Sequence, residues 1–577
     1  MNKYNWNFKD FFKSDDDFQL ELEKLELEIE TFNKELEKLS LYDLLKKYYN
    51  LSLQCEKLLT YAELNSDLDM SNQKYLNFKS LVYNKKSVLD SIKDIINQKI
   101  LLIDETLDEY LQKYPELKEY KMHLYEVLRL KEHNKKDKGI QNATTMILKM
   151  NDLYNTIQNV ELEYKKIKID RVSVIANKKN YSKYLLDSNQ SNRRKIFNGF
   201  TNSLAKVNKS VAGLLNARLK SCYDIATLKN YNTIIEQALN EDGLNIEIIN
   251  NLIKSVNDNF VLLERYFLLK KRSLGLSVLN PYDLKLSSAS YTKNCSFEES
   301  LEIIKQSLLI MGKDYNIVLE EVLQNGCLDV YPKQNKFLGG YHWRNYTKPM
   351  ILMNCNDDFL NAYIITHELG HAVNGLMIKN KRSFQDFHFS VFLSEIASKV
   401  NENILDDYLI KKASTSEEKK CLLEQKLSNF VDSIFFQTMY LEFELELCKF
   451  IESEKSLNAE IINNTFYNIY RKYYSSEKVN EKVKYLWQTR LHLFYGQYRY
   501  YNFQYATGFI SALKIANDIT NSKNNMLSQY LEFLTIGGSK PTLESLKATN
   551  VDFSNITVFN EAMTYFSNLL DEYESML

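Results

Sequence analysis

Apolar positions in the first 130 residues recur at helical spacing, and almost nothing there breaks a helix. Before Gly139 there is no glycine and a single proline, Pro115. Those two residue types punctuate helices, so their scarcity predicts long, uninterrupted ones. The stretch from Phe18 to Glu30 places apolar side chains at 18, 20, 22, 25, 27 and 29 among strong helix formers. Leu41 to Tyr61 and Ser80 to Tyr110 repeat the pattern, with lysine and glutamate on the polar faces. No heptad persists for three or four cycles, which favours antiparallel helices in a bundle over a coiled-coil rod.

A polar loop, Lys131 to Gly139, interrupts this region, and its charge run reads as a solvated loop in which His133 has no ligand role. An alternating stretch follows from Leu162 to Ile169, then Tyr181 to Asn192, where a domain boundary is expected. That divides the chain into an N-terminal helical domain, 1–190, and a second domain, 191–577. The pattern is helical again from Arg193 to Gly275. Strand character is expected only between about 285 and 355: Asp329-Val-Tyr, Phe337-Leu-Gly-Gly-Tyr-His-Trp with its diglycine bend, and Pro349-Met-Ile-Leu-Met-Asn-Cys-Asn. An edge of such a sheet can bind an extended peptide through main-chain hydrogen bonds. His342, within this region, reads as a cleft-lining or a structural histidine, and His388, seven residues before Glu395, as a supporting residue rather than a ligand.

The next segment, Ala362-Tyr-Ile-Ile-Thr-His-Glu-Leu-Gly-His-Ala-Val-Asn-Gly375, carries the chemistry. Apolar residues at 362 to 365, 369, 372, 373 and 376 describe a helix buried on most of its circumference. His367 and His371, four apart, project from one face, where two imidazoles can share one metal ion. Zn²⁺ is the usual ion for such a site. Glu368 points to the side where a bound water would sit, and Gly370 leaves room for a second element to approach closely. A coincidental pair of buried histidines is the plain alternative, but histidine is scarce, 7 in 577 residues. Downstream, Val391 to Glu402 is again helical, and Glu395 stands 24 residues after His371 between the small residues Ser394, Ala397 and Ser398. It is the candidate third ligand. Glu402, two turns along the same face, suits an acceptor for the outer N–H of a ligating histidine, with a solvated carboxylate as the alternative.

His367-Glu-Leu-Gly-His371 and Phe392-Leu-Ser-Glu-Ile-Ala-Ser-Lys-Val-Asn-Glu402 together resemble the oligoendopeptidase F branch of the thimet-oligopeptidase family. The similarity extends to Trp6-Asn-Phe-Lys-Asp-Phe-Phe, Arg265 to Leu276, Pro281-Tyr-Asp-Leu, Gly339-Gly-Tyr-His-Trp343, Pro349 to Asn354, Gln504-Tyr-Ala-Thr-Gly508 and Tyr530 to Ser539. The resemblance implies a mostly α, two-lobed zincin-type metallopeptidase with a small β-sheet beside the zinc helix and a deep cleft. It implies one Zn²⁺ per chain held by His367, His371 and Glu395, with Glu368 as the base. Short peptides would be the substrates of such an enzyme. It also implies that Tyr501 and Tyr505 stabilise the oxyanion. Tyr498, Tyr501 and Tyr505 fall at i, i+3 and i+7 of a helical pattern, so a packing stripe is the alternative for all three. Where relatives carry a histidine, thirteen residues before Gly508, this chain has Tyr495, with His492 three residues upstream. On a continuous helix that offset would turn His492 about 60° away from the family direction. Asn550 replaces the usual glycine of the last turn and tolerates a left-handed backbone.

Composition narrows the partners. Lysine and arginine (74) balance aspartate and glutamate (75), giving a net charge of −1 and no electrostatic case for nucleic acid or an anionic membrane. No apolar h-region opens the chain and no apolar run approaches a membrane span. Seven scattered cysteines without metal spacing are expected of a reduced, cytoplasmic protein. A monomer is favoured. Two other readings remain open: a zinc-binding helical protein of the same fold with weak or exopeptidase activity, and a purely structural helical scaffold.

Overall fold

The computed structural model describes residues 4–135, 137–288, 295–324, 326–356, 358–474, 479–495, 500–523 and 525–577. Helices dominate it. The glycine-free N-terminal stretch folds as α1 (Asp15–Glu35), α2 (Leu41–Leu68) and α3 (Gln73–Ile100). Each starts at a side chain that accepts an otherwise unpaired N–H: Ser14 from Asp17, Ser40 from Asp43, Asn72 from Lys74. Their apolar faces meet in one core, where the Phe18 ring stacks on Phe78 at 4.4 Å and on Tyr61 at 5.3 Å. The long helices expected from the lack of glycine are therefore present.

Among the described residues, five short strands form two sheets. β1 (Lys166–Ile169) and β2 (Val172–Ile175) make an antiparallel hairpin. Strand structure is thus not confined to the region after residue 285, as the sequence pattern had suggested. The hairpin turn residues, Asp170 and Arg171, have φ of 47° and 67°. That backbone normally announces itself with Asn-Gly or Asp-Gly, and here it does not. The second sheet contains β3 (Leu328–Asp329), β4 (Tyr341–Trp343) and β5 (Met350–Leu352) in the order β3-β5-β4. β5 is parallel to β3 and antiparallel to β4, with His342 opposite Ile351. This is the small sheet expected before the histidine helix.

Contacts divide the chain into two compact units. One comprises Met1–Lys131, Thr292–Tyr408 and Ile515–Val551; the other comprises Glu132–Tyr291, Leu409–Lys514 and Asp552–Leu577. Each unit is assembled from separated stretches, so this division differs from a single boundary at residue 190. The physical reason in the first unit is plain. Trp6 donates its indole N–H to the Cys327 carbonyl at 3.0 Å, and Met350 and Leu352 of β5 join the core of α1–α3. In the second unit a 39-residue helix, Gln190–Leu228, buries Arg193 against Asp283 at 2.8 Å, both side chains 0% exposed. No described helix is long and apolar enough to cross a membrane. All seven cysteines are buried, and none is in a disulfide.

Candidate metal centre

The histidine motif lies on the helix Leu360–Lys379, which is apolar nearly all round and correspondingly enclosed. Across it packs the helix Val391–Lys412. Gly370 makes that approach possible: a Cβ built there would lie 2.6 Å from the Ser398 Cα and 2.8 Å from the Ala397 carbonyl oxygen. The segment entering the second helix is held by another close approach. Gly538 donates its N–H to the Asp386 carbonyl at 2.7 Å, and a Cβ at Gly538 would meet the His388 carbonyl at 2.2 Å. This bracing of the segment before Glu395 by Gly538 carries no sequence signal. Asn550 does adopt the left-handed backbone, φ 55°.

Three side-chain atoms converge where the two helices meet. His367 Nε2 is 3.2 Å from His371 Nε2 and 3.5 Å from Glu395 Oε2, and His371 Nε2 is 3.9 Å from the same oxygen. Among the described residues this is the group of three that could hold a metal ion. A tetrahedral ion with bonds of about 2.1 Å requires ligand atoms about 3.4 Å apart. The donor set fits.

The surroundings fix which atoms face inward. Glu402 Oε1 lies 2.5 Å from His367 Nδ1, and Lys399 Nζ lies 3.0 Å from each Glu402 oxygen. A carboxylate only accepts, so Nδ1–H donates and the Nε2 lone pair is left pointing at the other two donors. Burial alone would raise the Glu402 carboxyl, but Lys399 and the His367 hydrogen bond hold it below its ordinary value. In His367, burial pulls the imidazole down and the Glu402 bond more than restores it, leaving it raised. His371 is driven well below its usual value, by burial first and then by the neighbouring His367. It is therefore a neutral imidazole, the form that ligates. Glu368 is buried, and that burial raises its carboxyl, with Glu395 adding to the effect and a hydrogen bond from the His342 backbone N–H opposing it.

Two further residues had no sequence signal. Arg344 is enclosed with its guanidinium 4.1 Å from the Phe389 ring centre, and burial draws it down to about 10 against the pull of Glu395. Lys399, which clamps Glu402, reads in sequence as an ordinary helix-face cation. The His342 ring lies nearly parallel to His371 at 6.0 Å, is pushed down to about 3 by burial and then Arg344, and leaves its buried Nε2 without a hydrogen-bond partner. His388 pairs instead with Glu56 at 2.9 Å and takes no part in the triad.

The tyrosine segment belongs to the second unit. Tyr501 opens the helix Tyr501–Thr520, and Tyr505 follows one turn later with ring centres 4.9 Å apart. Among the described residues upstream, Leu491–Leu493 is a single 3-10 turn, and Tyr500 has φ 52°. The helical rotation expected to turn His492 away does not apply. Its ring lies 5.1 Å from Tyr501 and 5.7 Å from Tyr505, whereas the Tyr495 hydroxyl donates to Asn155 at 3.0 Å. Tyr498 lies outside the described residues.

The chain matches the Peptidase family M3 model over residues 183–565. It belongs to peptidase family M3. Across 588 residues the M3 peptidase is 27% identical to oligopeptidase PepF of Bacillus subtilis, covering 99% of this chain and 87% of that protein. It is also 27% identical, over 584 residues, to an oligoendopeptidase F homolog of Borreliella burgdorferi, with 99% and 98% covered. The solved oligoendopeptidase-F of Enterococcus faecium superposes with a TM-score of 0.74 at 23% identity, covering 97% of this chain and 99% of its own. A Chlamydophila abortus chain does so with a TM-score of 0.89 at 23% identity, covering 99% and 98%. The M3 assignment makes the protein a metallopeptidase of mostly helical fold with only small sheets.

Proposed function

We propose that this M3 peptidase is a zinc-dependent endopeptidase that hydrolyses short oligopeptides, with His367, His371 and Glu395 as the metal ligands and Glu368 as the proton carrier. The observation that carries the reading is the convergence of the three donor atoms within 3.9 Å beside a buried carboxylate. The names of the relatives, oligopeptidase and oligoendopeptidase F, support the substrate class. When bound, zinc supplies a Lewis acid that polarises the scissile carbonyl and makes a water acidic toward ~7.

The remaining chemistry belongs to the chain. Glu368 is one residue from His367, and its burial-raised carboxyl is a better base near neutral pH than an exposed glutamate. It accepts a proton from the attacking water and delivers it to the leaving nitrogen. Glu402 and Lys399 keep the His367 ring in the tautomer that presents Nε2. Tyr501 and Tyr505 are assigned as hydroxyl donors to the oxyanion, with His492 packed against both rings. The seven buried cysteines, none in a disulfide, support a reducing, cytoplasmic setting.

The test is Glu368→Gln. The variant should retain stoichiometric zinc because its ligands are untouched, yet lose nearly all cleavage of a peptide library read by mass spectrometry. Internal cleavage sites blocked by a chelator are expected for the wild type. Residual activity at roughly a tenth of wild type or more would remove Glu368 from the role, and trimming from one end only would replace endopeptidase with exopeptidase action.

A further inference from the structure

The second unit contains a cavity of about 450 Å³ in which no catalytic role has been placed. Its walls are aromatic. The Tyr470 and Tyr474 rings stack at 4.5 Å, Phe436 stacks on Tyr474 at 5.6 Å, and Tyr181 and Phe200 close another side, stacked at 4.3 Å. One wall is a single wide π-type turn, Val431–Phe436, a departure from α-helix often found at functional sites.

Three cations, Lys178, Lys285 and Arg490, line this aromatic box. The Arg490 guanidinium carbon sits 3.6 Å from the Tyr440 ring centre, a flat stack that leaves its N–H edge available. Among the described residues, no acceptor or ion-pair partner meets that guanidinium. The same holds for the ammonium of Lys178, an exposed residue of the lining. The acidic group on the wall, Asp432, is already paired with Lys285 at 2.6 Å. An aromatic cavity with uncompensated positive charge selects an anion with an apolar body. Peptide hydrolysis creates such a group at every turnover, a new C-terminal carboxylate with its side chain.

We propose that this cavity binds a carboxylate bearing an apolar or aromatic side chain, the C-terminal residue of a short peptide, with the carboxylate on Arg490 and the side chain among Tyr440, Tyr470 and Tyr474. The proposal rests on the peptidase assignment only for the source of the ligand. Arg490 is two residues from His492, whose ring touches Tyr501 and Tyr505, so occupancy has a direct covalent route to that cluster.

Calorimetric titration of the whole chain with N-acetyl-L-phenylalanine and with its amide tests the site. The acid should bind about tenfold more tightly than the amide, the difference expected of one charge-assisted carboxylate–guanidinium contact. Treatment with chelator should leave that difference intact, which separates this site from the metal centre. Arg490→Gln should erase the advantage of the acid, Arg490→Lys should restore part of it, and Lys178→Gln should weaken the acid alone. Equal binding of acid and amide, no binding of either, or acid binding abolished by chelator would each overturn the proposal. So would displacement of the acid by an equal concentration of inorganic phosphate, or wild-type binding in both Arg490→Gln and Lys178→Gln. The source of the carboxylate is read from kinetics. If the acid raises KM for peptides with a free C-terminus but not for amidated ones, the carboxylate is the substrate's own end. A change in kcat for both marks a released product acting as an effector. Either result supports the site.

Discussion

Replacing Gly370 by alanine adds one carbon at the tightest point between the two helices that carry the ligands. The new Cβ would stand 2.6 Å from the Ser398 Cα, 2.8 Å from the Ala397 carbonyl oxygen and 2.9 Å from the Ser398 nitrogen. All three are backbone atoms, so no side chain can swing aside. Carbon atoms rest at about 3.5–4.0 Å, so the helices must separate locally by about 1 Å. Overpacking of this kind costs about 1–3 kcal/mol. Glu395 is one turn from Ser398 on the displaced helix, and its oxygen stands 3.5 Å and 3.9 Å from the two histidine nitrogens. A metal site tolerates only about 0.2 Å of ligand displacement, so a shift of ~1 Å removes Glu395 from productive distance. Gly370→Ala should therefore lower thermal stability and zinc affinity together, the latter by at least the ~10- to 100-fold typical of losing a supporting contact. Competition with a metal-binding dye and a thermal melt in excess chelator measure the two effects separately. Wild-type zinc affinity with wild-type melting would refute the close packing on which this reasoning depends.

Other changes probe separate parts of the molecule. Glu395→Ala should abolish tight zinc binding, whereas Glu402→Ala should weaken it only ~10- to 100-fold; the reverse order in a zinc competition assay would exchange their roles. Tyr501→Phe and Tyr505→Phe should lower kcat with KM nearly unchanged, by up to the ~100-fold or more seen for loss of one oxyanion donor. His492→Ala should lower kcat as well, because its ring lies against both tyrosines. Wild-type kcat in all three would make this segment packing. Asp283→Ala leaves Arg193 charged and enclosed, so about 3–5 kcal/mol of stability should be lost, measured by urea denaturation; a midpoint equal to wild type would contradict that burial.

What could be read from the sequence and what could not divides along the range of the forces involved. The His367–His371 pair is a consequence of helical pitch, so four residues of chain suffice to set both rings on one face. The long N-terminal helices follow from local propensity and the near absence of breakers before Gly139. Glu395 stood out because a lone carboxylate among small residues needs a partner. The hairpin at 166–175 was hidden because Asp170 and Arg171 take a left-handed turn that packing imposes without the usual turn residues. The grouping of residues 1–131 with the histidine helix depends on Trp6 reaching Cys327, a contact across 321 residues that no local pattern encodes. The surroundings of His492 were hidden for a related reason: a continuous helix would turn its ring away, whereas with a 3-10 turn at 491–493 and a left-handed Tyr500 the ring lies 5.1 Å from Tyr501 and 5.7 Å from Tyr505. Arg344, Lys399 and the Gly538 contact belong to the same class. Their placement is decided by which backbones can approach one another, and only the folded chain settles that.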